Sequence, residues 1–538
     1  MRKIGVKRRL QRKRPPTISA SDALAFPRDT GTDVDANILP FAGMATSCFP
    51  GARGIAPMEL VPPLPRAGVP HQDGASSSRC YRETSSILRI LKDRATTPQG
   101  GYIHAPALAL WAEECSVQTS LASQRYIDLP PNTKSTIAIA FSHDGSMFAS
   151  THGDHTVKVF ETISLREINV LVGHSRTPWT VKYHPSDASV LASGCLGHEV
   201  RVWNSHTGSC IAYMEVDGSV MSLAFHPDGD VLAIASGRRE TALLGKLDLW
   251  EYKRSSQRSF NSPGSISGPD GEPQLPSSAP LQTTLLDHRY GLRCVRFSPA
   301  GDSLVVALAN CNPFQATYPT YELALWSYDR NTPLSKQLPP RSLVGQAHLY
   351  SDGGLDVSPC GRHLITCAPP NALAGSAGEN RAQLILVSFE TGEVVKSAPL
   401  DNLFKDEHTA MARSGDHSPS AVAAADRLAR RGPHPKGVTS VKFSPTQGLA
   451  LLGYGVREEH AHERVLDMPH VVAAVFRLSD MSVISLFTSL TDDVNVARFV
   501  PFSGLGCIYG SKQGDICVIS PGHHAQDSPA RRARRRHR

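Results

Sequence analysis

The chain has 538 residues, is 40% apolar and 20% charged, and carries a net charge of +7, the balance of an ordinary globular protein with room for a large core. Residues 1–14 hold eight Lys/Arg and no acid, and residues 531–538 hold six Arg, so the rest of the chain sums to −7. The body is therefore no basic platform for nucleic acid, and only the ends offer one. No run of 18 apolar residues exists, which argues against a transmembrane helix or membrane insertion.

The start, MRKIGVKRRLQRKRPP, has no apolar segment after its charges and does not read as a secretory signal. Three readings stay open for this arm: a solvated tail, a nuclear-import or nucleic-acid contact, and a transit peptide. Residues 1–79 are rich in Pro, Gly, Ala and Ser without periodicity and read as a disordered basic and Pro-rich arm. Residues 80–124 read as a helical docking segment. In its first patch Ser85 or Ser86 caps, Ile87, Leu88, Ile90 and Leu91 make an apolar side, and Arg89, Lys92 and Arg94 lie outside. In its second, Ala107 to Leu121, residues Leu110, Trp111, Glu114, Val117 and Leu121 fall near helical spacing. Either patch packs on the body of the protein or enters a partner's groove.

Gln124 to Leu129 reads as a strand, and RYIDL is expected to pair with the last segment, GDICVIS. Between them one pattern recurs seven times: an apolar run ending on a marker residue, a turn such as Ser-His-Asp-Gly or His-Pro, and a second apolar run. The markers are Phe141, Tyr183, Phe225, Phe297, Val357, Phe443 and Phe499, at intervals of 42, 42, 72, 60, 86 and 56 residues. A period near 42 made of short strands is that of a WD40 blade. The longer intervals hold polar insertions near 254–283 and 399–436, a loop at NCNPFQATYPTYE and another at VREEHAHERVLDMPH. The expected fold is all-β: a seven-bladed WD40-type β-propeller over 125–520, a short helical segment before it, and a basic disordered tail at 521–538. A blade cannot bury both faces alone, and closing a ring of them leaves no long edge strand.

Within a WD40 blade, a Gly-His, a strand Ser/Thr, a turn Asp and a Trp indole share hydrogen bonds. Gly173-His174, Ser193 and Trp203 match in blade two, but Gly197 stands where Asp belongs. Blade one has Ser150 and Asp154 but Phe160, which has no indole N–H. These residues read as structural. Of the eleven cysteines none forms Cys-x-x-Cys, and Cys195, Cys294 and Cys367 sit in strand patterns, as buried thiols of a reducing compartment do. No phosphate loop, nucleophile elbow or Cys/His metal spacing is present. His460 and His462, and His152 and His155 in a turn, read as solvated. The chain is expected to be no enzyme and to need no cofactor or metal.

Several stretches carry a more specific likeness. STIAIAFSHDGSMFASTHGDH, the Gly-His-Ser-Arg-Thr-Pro-Trp at Gly173 to Trp179, LASGCLGHEVRVWNSHTG and SLAFHPDGDVLAIAS resemble the amino-terminal blades of the AMBRA family, the activating molecules in Beclin-regulated autophagy. YSDGGLDVSPCGRHL, VVAAVFRL and GLGCIYGSKQGDICVI are similar to its later parts. The resemblance implies a substrate receptor of a cullin-4 RING ubiquitin ligase, acting in autophagy, in cytoplasm and nucleus. Such receptors bind protein substrates and dock on the ligase's damaged-DNA-binding adaptor through an amino-terminal helix and one propeller face. The matching helix here carries Ile87, Leu88 and Leu91. The matching blade ends are Trp203-Asn204-Ser205-His206 and Trp250-Glu251-Tyr252-Lys253, which depart from the family's Trp-Asp-x-Arg; Lys253 lacks the fork of Arg. The alternative is a propeller scaffold in autophagy or trafficking complexes without a ligase. Phe476-Arg477-Leu478 is not the Phe-Arg-Arg-Gly of phosphoinositide-binding propellers.

Overall fold

The computed structural model describes residues 105–118, 122–130, 133–237, 245–253, 282–285, 291–311, 319–332, 339–369, 382–400, 438–455, 470–489 and 493–521. The arm at 1–79, the helix expected over Ser85 to Arg94 with Ile87, Leu88 and Leu91, most of both insertions, His460 and His462, and the tail from 522 on lie outside them.

Seven four-stranded antiparallel sheets form the propeller. Blade one comprises Thr136–Phe141, Met147–His152, Val157–Glu161 and Glu167–Leu171. The first strands of blades two to seven are Pro178–Tyr183, Val220–Phe225, Leu292–Phe297, Leu355–Val357, Val438–Phe443 and Val494–Phe499. Each of the seven markers is the last residue of its first strand. Burial falls from the first strand to the fourth. Thr136–Phe141 is buried throughout, whereas the fourth strand of blade five, Val394–Pro399, alternates between half-buried and exposed until Ala398. The outer strand thus shows one face to water, and its polar alternation follows. Seven large hydrophobic clusters each join two neighbouring blades, for example Phe141 and Phe148 with Val496 and Ile508 of blade seven. Apolar burial therefore glues blade to blade, and the ring rather than the single blade is the unit of stability.

The turn after each marker explains the repeated sequence. In blade three Gly229 N donates to His226 O at 2.8 Å, with Gly229 at φ +78°. A Cβ there would meet the His184 ring of blade two, 2.0 Å from Nε2. His184 Nδ1 accepts from Asp187 N at 3.0 Å, which leaves Nε2–H to donate to Gly229 O at 3.0 Å. His226 repeats the latch onto Gly301 O of blade four at 3.1 Å. The histidine of one turn and the glycine of the next are thus one inter-blade contact.

Blade seven is completed from the amino-terminal side. Ala122–Tyr126 pairs antiparallel with Ile516–Pro521, Tyr126 opposite Cys517, and Ile127 N adds a bond to Ile516 O at 2.9 Å. The strand sits slightly earlier than the expected Gln124 to Leu129 but makes the expected closure. In blade three the fourth strand is Gln282–Leu285, so residues 282 and 283 belong to the sheet. In blade five Pro399 likewise ends a strand. Cys195, Cys294 and Cys367 are buried and free. His152 corrects the turn expectation: it ends the strand Met147–His152, fully buried, with Nε2 on Ser150 Oγ at 2.8 Å and Nδ1 on Thr136 Oγ1 at 3.3 Å. Among the described residues no helix is long and apolar enough to cross a membrane.

Before the closing strand runs one helix, Ala105–Val117. Its Ala, Leu and Glu are good helix formers, and Pro106 falls in the first turn, where its missing N–H costs little.

Candidate functional site

The strands of a blade alternate in direction, so the turns after first strands and after third strands open on one face of the ring. The helix and the predicted blade-end residues share that face. Leu110 and Val117 of the helix join the cluster of Leu449, Phe499 and Ile519 between blades six and seven. Buried Glu113 accepts from Thr446 N at 2.9 Å and from Thr446 Oγ1 in the turn of blade six, and from Ser503 Oγ of blade seven at 3.1 Å. Glu114 takes Arg477 Nε at 2.7 Å. The second helical patch therefore packs on the propeller. Trp111 lies off this stripe and is 48% exposed. Ile163 after the third strand of blade one is 65% exposed, and Leu505 after the first strand of blade seven is 36% exposed. Three large apolar side chains thus face water on one side of blades six, seven and one. Singly they would be unremarkable; three on one face beside a docked helix suit a protein contact. The first patch of the sequence drew attention instead, because Trp111 read only as one member of a helical stripe.

The blade-end residues separate by burial. Trp203 and Trp250 are buried, so they brace their blades and offer no contact surface. That corrects their reading as adaptor-facing. His206 is exposed in its turn, its N donating to Asn204 Oδ1 at 3.0 Å and its O accepting from Asn169 Nδ2 at 3.0 Å. Glu251 accepts Arg330 Nε of blade four at 3.0 Å, and Lys253 Nζ donates to Asp230 Oδ1 at 3.1 Å. These charges pair with one another along the rim of blades three and four. Exposed pairs of this kind add little stability but set the electrostatic pattern of a surface.

The hydrogen-bonded group of blade two forms as read: His174 Nε2 meets Ser193 Oγ at 2.6 Å, and Trp203 Nε1 donates to the same oxygen at 2.8 Å. Glu199, absent from the sequence reading, supplies the missing acid, with Oε2 3.6 Å from His174 Nδ1. A Cβ on Gly197 would lie 2.2 Å from Ser175 Oγ, so Asp has no room at the usual position. Burial raises the Glu199 carboxyl, but hydrogen bonds from His174 and Ser175 and the Arg201 charge outweigh it and bring it to about 2. Burial also keeps His174 below its ordinary value. Cys195 completes a His174–Cys195–Glu199 cluster of metal-ligating types, but the Ser193 bond occupies Nε2 and the group is that of a blade interior. Asp154 of blade one does not reach a histidine ring in this way; it caps its own turn, accepting from Thr156 Oγ1 at 2.6 Å.

The densest polar arrangement lies at the axis, and sequence reasoning missed it. Asp352, in the one-turn 3-10 helix Asp352–Gly354 before blade five, is fully buried. Its carboxylate accepts from Lys182 Nζ at 2.9 Å and Thr180 Oγ1 at 3.2 Å in blade two, and Ser222 Oγ at 2.8 Å in blade three. Arg296 of blade four reaches it at 2.5 Å. One side chain touching blades two, three and four from blade five must sit on the axis. Asp356 pairs with Lys442 Nζ of blade six at 2.5 Å. Burial pushes the Asp352 carboxyl up, yet Arg296 and Lys182 hold it well below the carboxylate range.

Residues 126–161, 165–204 and 208–239 match the family WD domain, G-beta repeat. Activating molecule in BECN1-regulated autophagy protein 1A of Danio rerio is 34% identical over 212 residues, 38% of this chain and 14% of that protein. Protein 1B of the same species is 35% identical over 184 residues, 34% of this chain and 11% of that protein. The chain is a WD40-type propeller that is similar, over about a third of its length, to these two activating molecules. It spans about a seventh or less of the length of these two relatives. Eukaryotic translation initiation factor 3 subunit I of Aspergillus terreus is similar over 141 residues at 29% identity, 26% of this chain and 41% of that protein. The propeller thus buries a charged network at its axis and carries a docked helix that presents the Trp111 side chain to solvent.

Proposed function

We propose that this AMBRA-like propeller is a non-catalytic substrate receptor of a cullin-4 RING ubiquitin ligase in autophagy regulation, acting in cytoplasm and nucleus. Its docking face is the one carrying the helix Ala105–Val117. The observation that carries the reading is that helix: Glu113 and Glu114 clamp it across blades six and seven while Trp111 stays exposed. A receptor needs a rigid platform with an apolar anchor that its own core does not consume, and aromatic anchors dominate such interfaces. Ile87, Leu88 and Leu91 precede the platform in the chain and supply a second apolar contact for the damaged-DNA-binding adaptor; burying each is worth about 1.5–3 kcal/mol. The test is capture of purified adaptor by the full chain. Trp111→Ala and the pair Leu88→Asp with Leu91→Asp should each weaken capture by at least about 30-fold, the loss of one hot spot, with an unchanged melt. Retained capture by both refutes this docking face. A chain that never binds the adaptor but still enriches autophagy proteins supports the ligase-free scaffold.

A further inference from the structure

Blade two departs from the blade pattern at the turn between its second and third strands. Cys195 ends the strand Val190–Cys195, and Glu199 opens the strand Glu199–Asn204. The turn lies beside the loop that carries His174 into Pro178–Tyr183, on the face of the ring opposite the helix. A ring nitrogen of His174, Cys195 Sγ and a Glu199 carboxylate oxygen all lie within 4.8 Å of one another, and all three residues are buried. The nitrogen that turns toward the acid is Nδ1, since Nε2 is on Ser193 Oγ. Nδ1 stops 3.6 Å from Glu199 Oε2 and makes no bond of ordinary length among the described residues. The sulfur is prepared in a different way. Sγ accepts from Gly197 N at 3.2 Å, and the N–H groups of Arg176 and Glu199 also aim at it. Backbone N–H groups gathered on one sulfur favour its thiolate. Arg201 Nε holds Glu199 Oε2 at 3.2 Å and fixes the carboxylate against the cluster.

We propose that His174, Cys195 and Glu199 form a binding site for one divalent transition-metal ion of the zinc class. Imidazole, thiolate and carboxylate together suit zinc, with a fourth position left for water. Calcium and magnesium take oxygen ligands and have no use for the thiolate. One thiolate and one carboxylate balance the two charges of the ion, so the buried site stays neutral. The protons balance as well. The Glu199 carboxyl, brought to about 2, is already ionised. Nδ1 gives its lone pair to the metal and the ring proton sits on Nε2, where Ser193 Oγ accepts it beside the Trp203 N–H. Burial and the Glu199 charge push the Cys195 thiol up in the free protein; the dication reverses this, and the thiol proton leaves to solvent. Ser193 and Arg201 then orient the ligands from behind, as outer-shell partners do. The ion enters past Glu199, whose side chain is 11% exposed, and ties the entry loop of blade two to its second turn.

The experiment strips the full chain of metal and titrates it with Co²⁺, whose thiolate charge-transfer absorption reports a cobalt–sulfur bond. The wild type should develop this band, saturate at one equivalent and lose the band when Zn²⁺ displaces the cobalt. Cys195→Ala keeps every other cysteine, the exposed Cys360 included, and should not develop it. Glu199→Gln keeps the side chain's shape and should weaken cobalt binding at least about tenfold, the least that losing even an outer-shell partner brings. A thermal melt gives the second reading. Zn²⁺ at about a hundred times its dissociation constant should raise the wild-type Tm by about 3 °C and leave Cys195→Ala unmoved. Metal-free melts show whether each variant folds, and Glu199→Gln decides the matter if Cys195→Ala does not. No band in the wild type, a band that survives in Cys195→Ala, or wild-type affinity in Glu199→Gln overturns the site.

Discussion

Replacing Asp352 by Asn tests whether the axis holds the ring together. The side chain keeps its shape, so packing is spared, but the single charge that answers Lys182 and Arg296 disappears. Both cations are fully buried, and breaking a buried pair by removing one partner costs about 3–5 kcal/mol. The two pairs share one carboxylate and will not add, so about 4 kcal/mol is the figure for the site. Unfolding entropy near 2.1 cal/mol/K per residue gives about 0.8 kcal/mol/K for a propeller of roughly 400 residues, hence a drop of about 5 °C in Tm. Differential scanning calorimetry reads this directly. Asp230→Asn, which breaks the exposed Lys253 and Arg330 contacts, is the control and should move Tm by less than about 1 °C. Adding Lys182→Met to Asp352→Asn removes one orphaned cation and should recover part of the loss. An Asp352→Asn variant that melts with the wild type would refute the account, because the cations would then be solvated or neutral without their partner.

Deleting everything before Lys134 removes the strand Ala122–Tyr126 and the helix and leaves Ile516–Pro521 as an open edge; a lower melting midpoint and aggregation on gel filtration are expected, and an unchanged melt would show that closure is dispensable. Acid should weaken the fold before any carboxylate titrates. Burial, opposed by Asp154, holds His152 at about 3, and burial holds His348 at about 4, against about 6.5 unfolded. The unfolded chain binds more protons between about pH 4 and 6.5, so stability is lost as pH falls through that window, by about 1.4 kcal/mol per pH unit for each histidine; a flat Tm from about pH 7 to 5 would contradict this. Removing residues 1–14 and 531–538 together should reduce nuclear signal in cell imaging, and an unaltered distribution would leave those ends without an import role.

The ring was legible because its determinants are local and repeated. A marker aromatic, a tight turn and an apolar run sit within a dozen residues, and that spacing survives the insertions. The closing strand was legible for the same reason, as an orphan β pattern before blade one. The axial network was not, although its residues alternate in plain sight ahead of each marker. Lys182 and Asp352 are 170 residues apart, and each alone reads as the polar member of an alternating strand. Only counting the residue before the marker across all seven copies would have exposed a ring of charge. Glu199 escaped because it replaces the usual acid from two residues further along, on the strand instead of the turn. Trp203 and Trp250 were read at the right sequence position but on the wrong side of the surface, since a sequence likeness aligns residues and not their burial.

The closing strand also sets the order of events during synthesis. Ala122–Tyr126 leaves the ribosome nearly 400 residues ahead of its partner Ile516–Pro521. At about 5–20 residues per second, the early strand and the helix Ala105–Val117, whose seat is on blades six and seven, wait roughly 20–80 s for the surfaces they cover. During that interval the blades accumulate as an open arc, six of them by Ser489, with an unpaired edge at one end and exposed apolar faces at both. Exposed edges and apolar faces of this kind favour misassembly, so synthesis of the last blade is the step on which the integrity of the whole ring depends.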